Sequence, residues 1–327
     1  TIIVLFVVVI FPIVYNIYMS FNKWKIGLGS PKFIGLQNYI DAFSDPRFWN
    51  GLKVMFFFSG LSLSLEVVLG LLIAVYLNKE FKGSNFVQTI YIFPFAATPV
   101  AIALIWRIML NPQIGALNYF LSLIGLPPSL WISSAKTVIL SLVLVDVWKW
   151  TPMITLIVLA GLKSLPKDPY EAAVIDGANT PQVFYYITLP LIQPVLVSAL
   201  ILRSLDNLKE FDIIYTITQG GPGIASETLY LYSYKTAFSF FKAGYGSTLI
   251  ILIIPPIFVF VWMIMIGLKT GVQNIEYPPL FIFKPTLDNF KAVFQQHNFL
   301  HYLINSFIIA TGATLISLFI GLPAAYS

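Results

Sequence analysis

Residues 170–178 read Tyr-Glu-Ala-Ala-Val-Ile-Asp-Gly-Ala, and residues 187–190 read Ile-Thr-Leu-Pro. This polar stretch lies between strongly apolar segments. Asp168 can act as the N-cap of a short helix, Pro169 fits its first position, and Glu171 can bond back to the cap. The stretch therefore predicts a short, well-defined helix outside the membrane.

A second short helix is predicted to follow the first. Gly177 can end the first helix in the left-handed conformation, because glycine carries no Cβ. Thr180-Pro181 then repeats the pattern of a cap followed by proline, and the second helix is expected to end near Pro190. A capped helix pair between two membrane spans is suited to docking into a groove on another protein.

The spacing of this pair resembles the cytoplasmic coupling motif of ABC importer permeases, and Gly220-Gly221-Pro222 downstream adds a likeness to the carbohydrate-uptake, maltose-type branch. The motif is Glu-Ala-Ala, three residues, Gly, nine residues, and Ile-x-Leu-Pro. An ordinary amphipathic connector is the competing interpretation, which the length of the spaced pattern disfavours. The resemblance implies that the residues coupled to an ATPase are Glu171, Ala172, Ala173, Asp176, Gly177, Ile187, Leu189 and Pro190.

The resemblance also implies a fold, a function and a set of partners. The fold would be an all-α polytopic membrane protein with the transmembrane domain of a type I ABC importer. The function would be that of a permease subunit that translocates a sugar or oligosaccharide across a prokaryotic inner (plasma) membrane. The implied partners are a pair of ABC ATPase subunits, a second permease subunit and an extracytoplasmic substrate-binding protein.

Composition independently indicates a membrane protein. Of the 327 residues, 58% are hydrophobic and 10% charged, whereas about a quarter of residues in soluble domains are charged. The formal charge of +5 fits basic loops at a lipid surface, and nothing indicates a nucleic-acid partner. The chain has no cysteine and no Gly-x-x-x-x-Gly-Lys-Ser/Thr phosphate loop. If ATP drives this protein, a separate subunit must therefore bind and hydrolyse it, and the resemblance implies a permease subunit that is not itself an enzyme.

Apolar stretches long enough to cross about 30 Å of hydrocarbon predict about six spans. Pro94 and Pro99 predict a bend in the third, and Gly70 with Ala74 predicts close helix packing in the second. A polar connector is expected at 20–50 and an aromatic strand or loop at 223–245. Loop charges leave the orientation open, so the cytoplasmic side is assigned by the resemblance. The predicted spans are 1–19, 51–77, 87–110, 136–160, 191–208 and 246–268.

Polar residues within the spans are candidates for the translocation path, because an intramembrane charge is costly. Glu66 could line the path or form hydrogen bonds with neighbouring helices. Asp146 and Lys149, at i,i+3, could neutralise each other, and Asp206 could pair with Arg203 or Lys209. The candidate path residues are Glu66, Asp146, Trp148, Asp206, Asn207, Lys209 and Glu210.

No cofactor and no metal site is predicted. His297 and His301 are the only histidines and stand at i,i+4, without an intervening Glu of the His-Glu-x-x-His pattern and without a third ligand nearby. Catalytic residues are likewise not predicted.

The chain contains an internal repeat. Residues 36–43 correspond without gaps to residues 287–294, and such duplication is typical of transporters built from two similar halves. Five predicted spans separate the two copies, although parallel copies need an even number. We therefore predict a first permease unit at 1–248, with its coupling loop at 161–190, and the truncated beginning of a second unit at 249–327, joined between Thr248 and Pro256. The alternative is one continuous helix followed by an inverted copy.

Two other function classes fit a polytopic chain. An ion-coupled secondary transporter would use the intramembrane charges and need no ATPase, and a non-transporting membrane scaffold would move nothing. Neither would require a coupling loop of this spacing. The sequence does not identify the sugar, because specificity depends on a few converging polar groups.

Overall fold

The computed structural model describes residues 10–79 and 81–253, and a few single positions outside these ranges. These positions are Val8, Lys269, Thr270, Gln273, Thr286, Ile304, Asn305, Ile308 and Ile309. The helices are α1 (Phe11–Ser20), α2 (Gln37–Ser44), α3 (Pro46–Leu77), α4 (Ser84–Ala96), α5 (Pro99–Met109), α6 (Ala116–Leu123), α7 (Val138–Lys163), α8 (Asp168–Ile175), α9 (Thr180–Val183), α10 (Leu189–Asn207), α11 (Asp212–Thr218), α12 (Leu229–Tyr234) and α13 (Ala243–Ile253).

The chain divides into two compact units, Thr1–Ile253 and Ile254–Ser327. The predicted division at 248/249 and the predicted join stay predictions, because residues 254–256 lie outside the described residues. The second copy of the repeat at 287–294 also lies outside them.

Among the described residues, three helices are long and apolar enough to cross a membrane: Pro46–Leu77, Val138–Lys163 and the continuous helix Thr180–Asn207. The pair Phe86–Ala96 and Pro99–Met109 makes a fourth candidate, bent by 92°. Thr98 is extended at ψ 134°, as expected of a residue before proline, and Pro99 begins the next helix. The predicted bend in the third span is confirmed.

Helix α7 is the central helix of the unit. In an 18-residue apolar stretch of α7, 67% of residues are buried, against 28% in that of α3 and 17% in that of Thr180–Asn207. A Cβ on Gly70 of α3 would lie 2.8 Å from Cγ2 of Ile154 on α7, and Ala74 is fully buried. The small residues therefore permit the close approach of α3 and α7 that the sequence predicts.

The connector at 20–50 is more ordered than its polar composition predicts. It contains an antiparallel hairpin of β1 (Asn22–Lys25) and β2 (Leu28–Phe33), with Asn22 opposite Phe33 and Lys25 opposite Leu28. The buried Asn38 of α2 donates from Nδ2 to the carbonyl oxygens of Ser20, at 2.8 Å, and Asn22, at 3.0 Å. These two bonds fix α2 against the hairpin.

The prediction of a strand or loop within 223–245 is wrong where the alternating tyrosines stand. Residues Leu229–Tyr234 form helix α12, whose N-cap Thr228 accepts a hydrogen bond from the backbone N–H of Leu231. The alternation of tyrosines suggested a period of two, but the cap and the burial of Leu229 and Leu231 favour a helix.

Candidate functional site

The first short helix of the coupling loop, α8, begins one residue earlier than predicted. Lys167 is the N-cap, has helical backbone angles, and accepts from the N–H groups of Tyr170 and Glu171. Asp168 is therefore inside the helix, and no side-chain capping bond forms. The predicted capping roles of Asp168 and Glu171 are wrong, although both acids lie in the first turn, where the helix dipole favours negative charge.

The end of α8 is as predicted. Gly177 has φ +72°, in the left-handed region that glycine adopts without a Cβ penalty. The N–H of Ala178 donates to the carbonyl of Ala173 at 2.9 Å, and the N–H of Gly177 donates to that of Val174 at 3.2 Å. This pair of bonds is the Schellman motif. A Cβ on Gly177 would meet nothing within 4 Å, so the glycine is needed for its backbone angles.

The second short helix differs from the prediction at both ends. Its N-cap is Asn179, one residue before Thr180, and it forms a reciprocal capping box with Gln182. It does not end near Pro190. After Val183 a five-residue π turn, Phe184–Thr188, leads directly into α10, and the missing N–H of Pro190 falls in the first turn of α10, where it is tolerated.

The coupling loop exposes an apolar surface that we name the docking patch, consisting of Val174, Ile175, Tyr185 and Tyr186. Their exposed fractions are 74%, 86%, 64% and 79%. Val174 and Ile175 lie on α8, and Tyr185 and Tyr186 lie on the π turn. A hydrogen bond from the Tyr170 hydroxyl to Thr188 Oγ1 at 3.2 Å links these two segments. The patch is therefore held on two braced helical segments and lacks a covering partner within the described residues.

The remaining predicted coupling residues differ in burial. Ala173 is buried, and Leu189 packs against the core cluster that contains Ile154 and Ile192. Ile187 is half-buried. The residues of the predicted set that are exposed are Glu171, Ala172, Asp176, Gly177 and Pro190.

A buried charge cluster joins three of the long helices. Arg203 of α10 donates from Nε and Nη2 to the Glu66 carboxylate of α3 at 2.9 and 3.0 Å. Its Nη2 also donates to Asp146 Oδ2 of α7 at 2.8 Å. All three residues are 0% exposed. One guanidinium therefore holds two carboxylates from two other helices.

Neighbouring side chains complete the cluster. Asn207 donates to Asp146 Oδ2 at 2.8 Å, and the Arg203 guanidinium carbon lies 4.4 Å from the centroid of the Trp150 ring. Lys149 Nζ is also 4.4 Å from that centroid. The predicted pairing of Asp146 with Lys149 is wrong: Asp146 bonds to Arg203, and Lys149 makes a cation–π contact instead.

The path candidates separate into two groups. Glu66, Asp146 and Asn207 meet in the buried cluster. Trp148 is 43% exposed and contacts Trp106 edge-on at 5.5 Å, whereas Asp206 and Lys209, both about half exposed, pair at 3.3 Å. Glu210 accepts a hydrogen bond from the N–H of Ile213. Sequence reasoning missed Arg203 as the centre of the cluster, although an intramembrane glutamate is itself a signal that a cation lies nearby.

A second ion cluster lies at the opposite end of α3 from the coupling loop. Arg47 donates to both oxygens of Glu227 at 2.6 and 2.9 Å, and Lys235 donates to Oε1 at 2.9 Å. Burial tends to raise the pKa of Glu227, but the hydrogen bonds from Arg47 and Lys235 outweigh it and hold that pKa below its ordinary value of 4.5.

The lowered pKa of Glu227 predicts a pH-dependent loss of stability. Because the folded pKa is below the ordinary value, the stabilisation is present above pH 4.5 and is lost as pH falls through the folded pKa. At pH 7, Glu227→Gln should lower the free energy of unfolding by about 1.5–3 kcal/mol, the range for hydrogen bonds to charged groups. The difference from wild type should shrink on acidification.

Unfolding of the detergent-purified protein at neutral and acidic pH measures this difference. Asp41→Asn is the matched control, because Asp41 is an exposed carboxylate bonded to Gln37 on the same side of the protein. A Glu227→Gln penalty that stays constant between the two pH values would show that the carboxylate charge is not what stabilises this cluster.

Within the described residues, no group of three or more His, Cys, Asp or Glu side chains could hold a metal ion. His297 and His301 lie outside the described residues.

Comparison with known proteins places this architecture in one family. The chain belongs to the family described as the binding-protein-dependent transport system inner membrane component, which matches residues 66–266. Members of this family work in ABC importers together with separate ATPase subunits, a partner permease and a binding protein. The chain is thus a multi-pass inner-membrane permease subunit and not itself the ATPase, as the resemblance implies.

The chain is similar to the trehalose/maltose transport system permease protein MalF of Thermococcus litoralis, at 40% identity over 74% of this chain and 81% of that protein. It is also similar to the sulfoquinovosyl glycerol transport system permease protein SmoG of Agrobacterium fabrum, at 33% identity over 76% and 80%. A bacterial alginate ABC transporter, crystallised with a pentasaccharide-bound periplasmic protein, shares the fold with a TM-score of 0.68 at 23% identity, covering 80% of this chain and 88% of that one.

Proposed function

We propose that this chain translocates a sugar or oligosaccharide, delivered by an external binding protein, in an importer driven by a pair of ATPase subunits. The sugar class is supported by the names of the relatives, which transport trehalose or maltose and sulfoquinovosyl glycerol. The coupling role is carried by one observation, the exposed docking patch on α8 and the π turn, which the bond between Tyr170 and Thr188 holds together. Exposed apolar side chains on such a pair fit a groove on a partner protein.

Helix α10 is proposed to transmit movement of the coupling loop into the membrane. The π turn, which carries Tyr185 and Tyr186 of the docking patch, continues into α10 without a break in the helix. Arg203 lies 14 residues beyond Leu189, a distance of about 21 Å at 1.5 Å per residue. A displacement of the patch would therefore pull directly on the charge cluster that holds α3 and α7.

The two groups of path candidates are proposed to have different tasks. Glu66, Asp146 and Asn207 are fully packed and would position the helices that surround the path. The other four, whose side chains are at least partly accessible, would face the path that a second permease subunit completes. These four are Trp148, Asp206, Lys209 and Glu210.

Intramembrane carboxylates are the observation that would favour an ion-coupled secondary transporter. Here both Glu66 and Asp146 are bonded to Arg203, and neither is exposed to water. A carboxylate that must bind and release a coupling ion needs access to water, so the cluster argues against that function.

Substrate-stimulated ATP hydrolysis tests the sugar class. The chain would be purified with its partner permease and ATPase, and its binding protein would be added with maltose, trehalose or an amino acid. A sugar-loaded binding protein should stimulate hydrolysis several-fold over the unloaded protein. Stimulation by the amino acid alone would refute the sugar assignment while leaving the ATP-driven importer intact.

Glu171→Ala is expected to weaken association with the ATPase without destabilising the permease. Glu171 is exposed and makes no capping bond, so its loss should change the free energy of unfolding by no more than about 0.5 kcal/mol. Asp168→Ala is the matched control, since it removes a negative charge from the same first turn. The measurement is co-purification of the ATPase. If the two variants retain the ATPase equally, Glu171 makes no specific contribution to the interface.

A further inference from the structure

A cavity lies beside the coupling loop. It encloses about 910 Å³, and Lys79, Lys163 and Lys167 contribute three positive charges to its wall. No Asp or Glu is present among the described residues that line it. Three ammonium groups around one concave space, with no acidic residue on the described lining, create a strongly positive potential.

The three lysines are available to a ligand. Within the described part of the chain, the ion pairs involve Arg47, Arg203, Lys209 and Lys235, and none involves a lysine of this cavity. The cavity beside the β1–β2 hairpin, of about 900 Å³, is different, because Asp41 and Asp45 stand among its lysines. Of these two cavities, the one beside the coupling loop is therefore the one whose positive charge favours binding of an anion.

The cavity lies where membrane-crossing helices end. Leu77 is the last residue of α3 and Lys163 is the last residue of α7, and Lys167 is the N-cap residue of α8. Because α3 and α7 are long and apolar enough to cross a membrane, their ends place this position near the boundary between hydrocarbon and water on the coupling-loop side. Leu77, Phe81 and Phe86 add apolar surface to the same wall, and Phe86 is 70% exposed.

Polar donors on the wall suit a phosphate group. Helix α4 begins at Ser84, beside Gly83, without a side-chain capping bond. The N–H of Ser84 donates to the Phe81 carbonyl at 3.1 Å and that of Val87 to the Gly83 carbonyl at 3.0 Å, which leaves the N–H of Phe86 in the first turn for an anion. Gln88 also lines the cavity and donates to Ser84 Oγ at 2.9 Å. Lysines bind phosphate as point charges, and juxtamembrane lysines attract anionic lipids.

We propose that this cavity binds the phosphate group of an anionic phospholipid from the leaflet on the coupling-loop side. A free phosphate ion offers the same charge, but it would leave the apolar side of the wall unused, whereas an acyl chain would cover Phe81 and Phe86. Because the wall includes the ends of α3 and α7 and the residue that starts α8, a bound lipid would brace the coupling loop against the transmembrane helices.

Lipid binding to the delipidated full chain tests the proposal. The probes are phosphatidylglycerol and phosphatidylcholine, titrated into the detergent-purified protein and counted by native mass spectrometry. Wild type should retain at least one phosphatidylglycerol and no matching phosphatidylcholine. The variant K79Q/K163Q/K167Q should bind it at least tenfold more weakly, while its melting temperature stays unchanged.

The matched control is K23Q/K25Q/K32Q, which removes three lysines from the cavity beside the hairpin and should leave phosphatidylglycerol retention as in wild type. Equal losses from both triple variants would overturn the proposal as a general charge effect. Displacement of the lipid by millimolar inorganic phosphate would identify a free-anion site. Unchanged lipid retention with loss of ATPase co-purification would identify a protein contact. Each of these two outcomes would also overturn the lipid assignment.

Discussion

Replacing Gly177 by valine is expected to reduce transport to under a tenth of the wild-type rate while leaving the protein inserted in the membrane. Gly177 has φ +72°, where an L-residue pays about 1–2 kcal/mol and a β-branched residue pays most. The added Cβ would meet nothing within 4 Å, so the cost falls on the backbone turn alone. Losing that turn separates Val174 and Ile175 from Tyr185 and Tyr186, which breaks up the docking patch.

Gly125→Val is the matched control for backbone strain. Gly125 has φ +74° with nothing within 4 Å of a Cβ, and it lies far along the chain from the coupling loop. Gly125→Val should lower the free energy of unfolding by a similar amount and leave uptake normal. Gly177→Asn should retain most transport, since asparagine tolerates the left-handed conformation. Normal uptake by Gly177→Val, or an equal loss from Gly125→Val, would contradict the role given to this turn.

Arg203→Met is expected to be the most destabilising single substitution in the unit, at about 3–5 kcal/mol. It leaves Glu66 and Asp146, both fully buried, without their shared cation, and removing one partner of a buried ion pair strands the other charge. Three helices lose their common contact at once. The measurement is thermal or denaturant unfolding of the purified protein, together with its yield in the membrane.

Lys209→Met is the matched control, because it removes a cation from an ion pair that is about half exposed near the end of the same helix. Such pairs contribute about 0–1 kcal/mol. Combining Arg203→Met with Glu66→Gln and Asp146→Asn should recover much of the lost stability, since the stranded charges are then gone. A similar small effect of Arg203→Met and Lys209→Met would contradict the charge cluster.

Much of the coupling loop could be predicted from sequence, because its features depend on short-range patterns. The glycine end of α8 and the bend before Pro99 depend on backbone angles that a few adjacent residues determine, and both predictions are confirmed. The N-cap of the second short helix lies one residue before the predicted one, because Asn179 and Thr180 are both good caps and proline is accepted at either of the next two positions.

Long-range contacts explain the other differences. Glu66 and Arg203 are 137 residues apart in sequence, so no local spacing indicates that they pair. Lys149 stands three residues from Asp146, and this spacing suggested an ion pair that does not form. The continuation of the coupling loop into α10 was missed for a different reason. Pro190 is an ordinary stop signal, and only the π turn before it reveals that the helix continues.

Reconstitution into liposomes tests the central claim most directly. The complete complex would be placed in proteoliposomes with its binding protein, ATP on the coupling-loop side and a radiolabelled sugar on the other, with and without an imposed proton or sodium gradient. Sugar accumulation should require ATP and the ATPase, should not depend on the ion gradient, and should be lost with Gly177→Val. Accumulation driven by the gradient without ATP or ATPase would contradict the assignment as an ATP-driven importer.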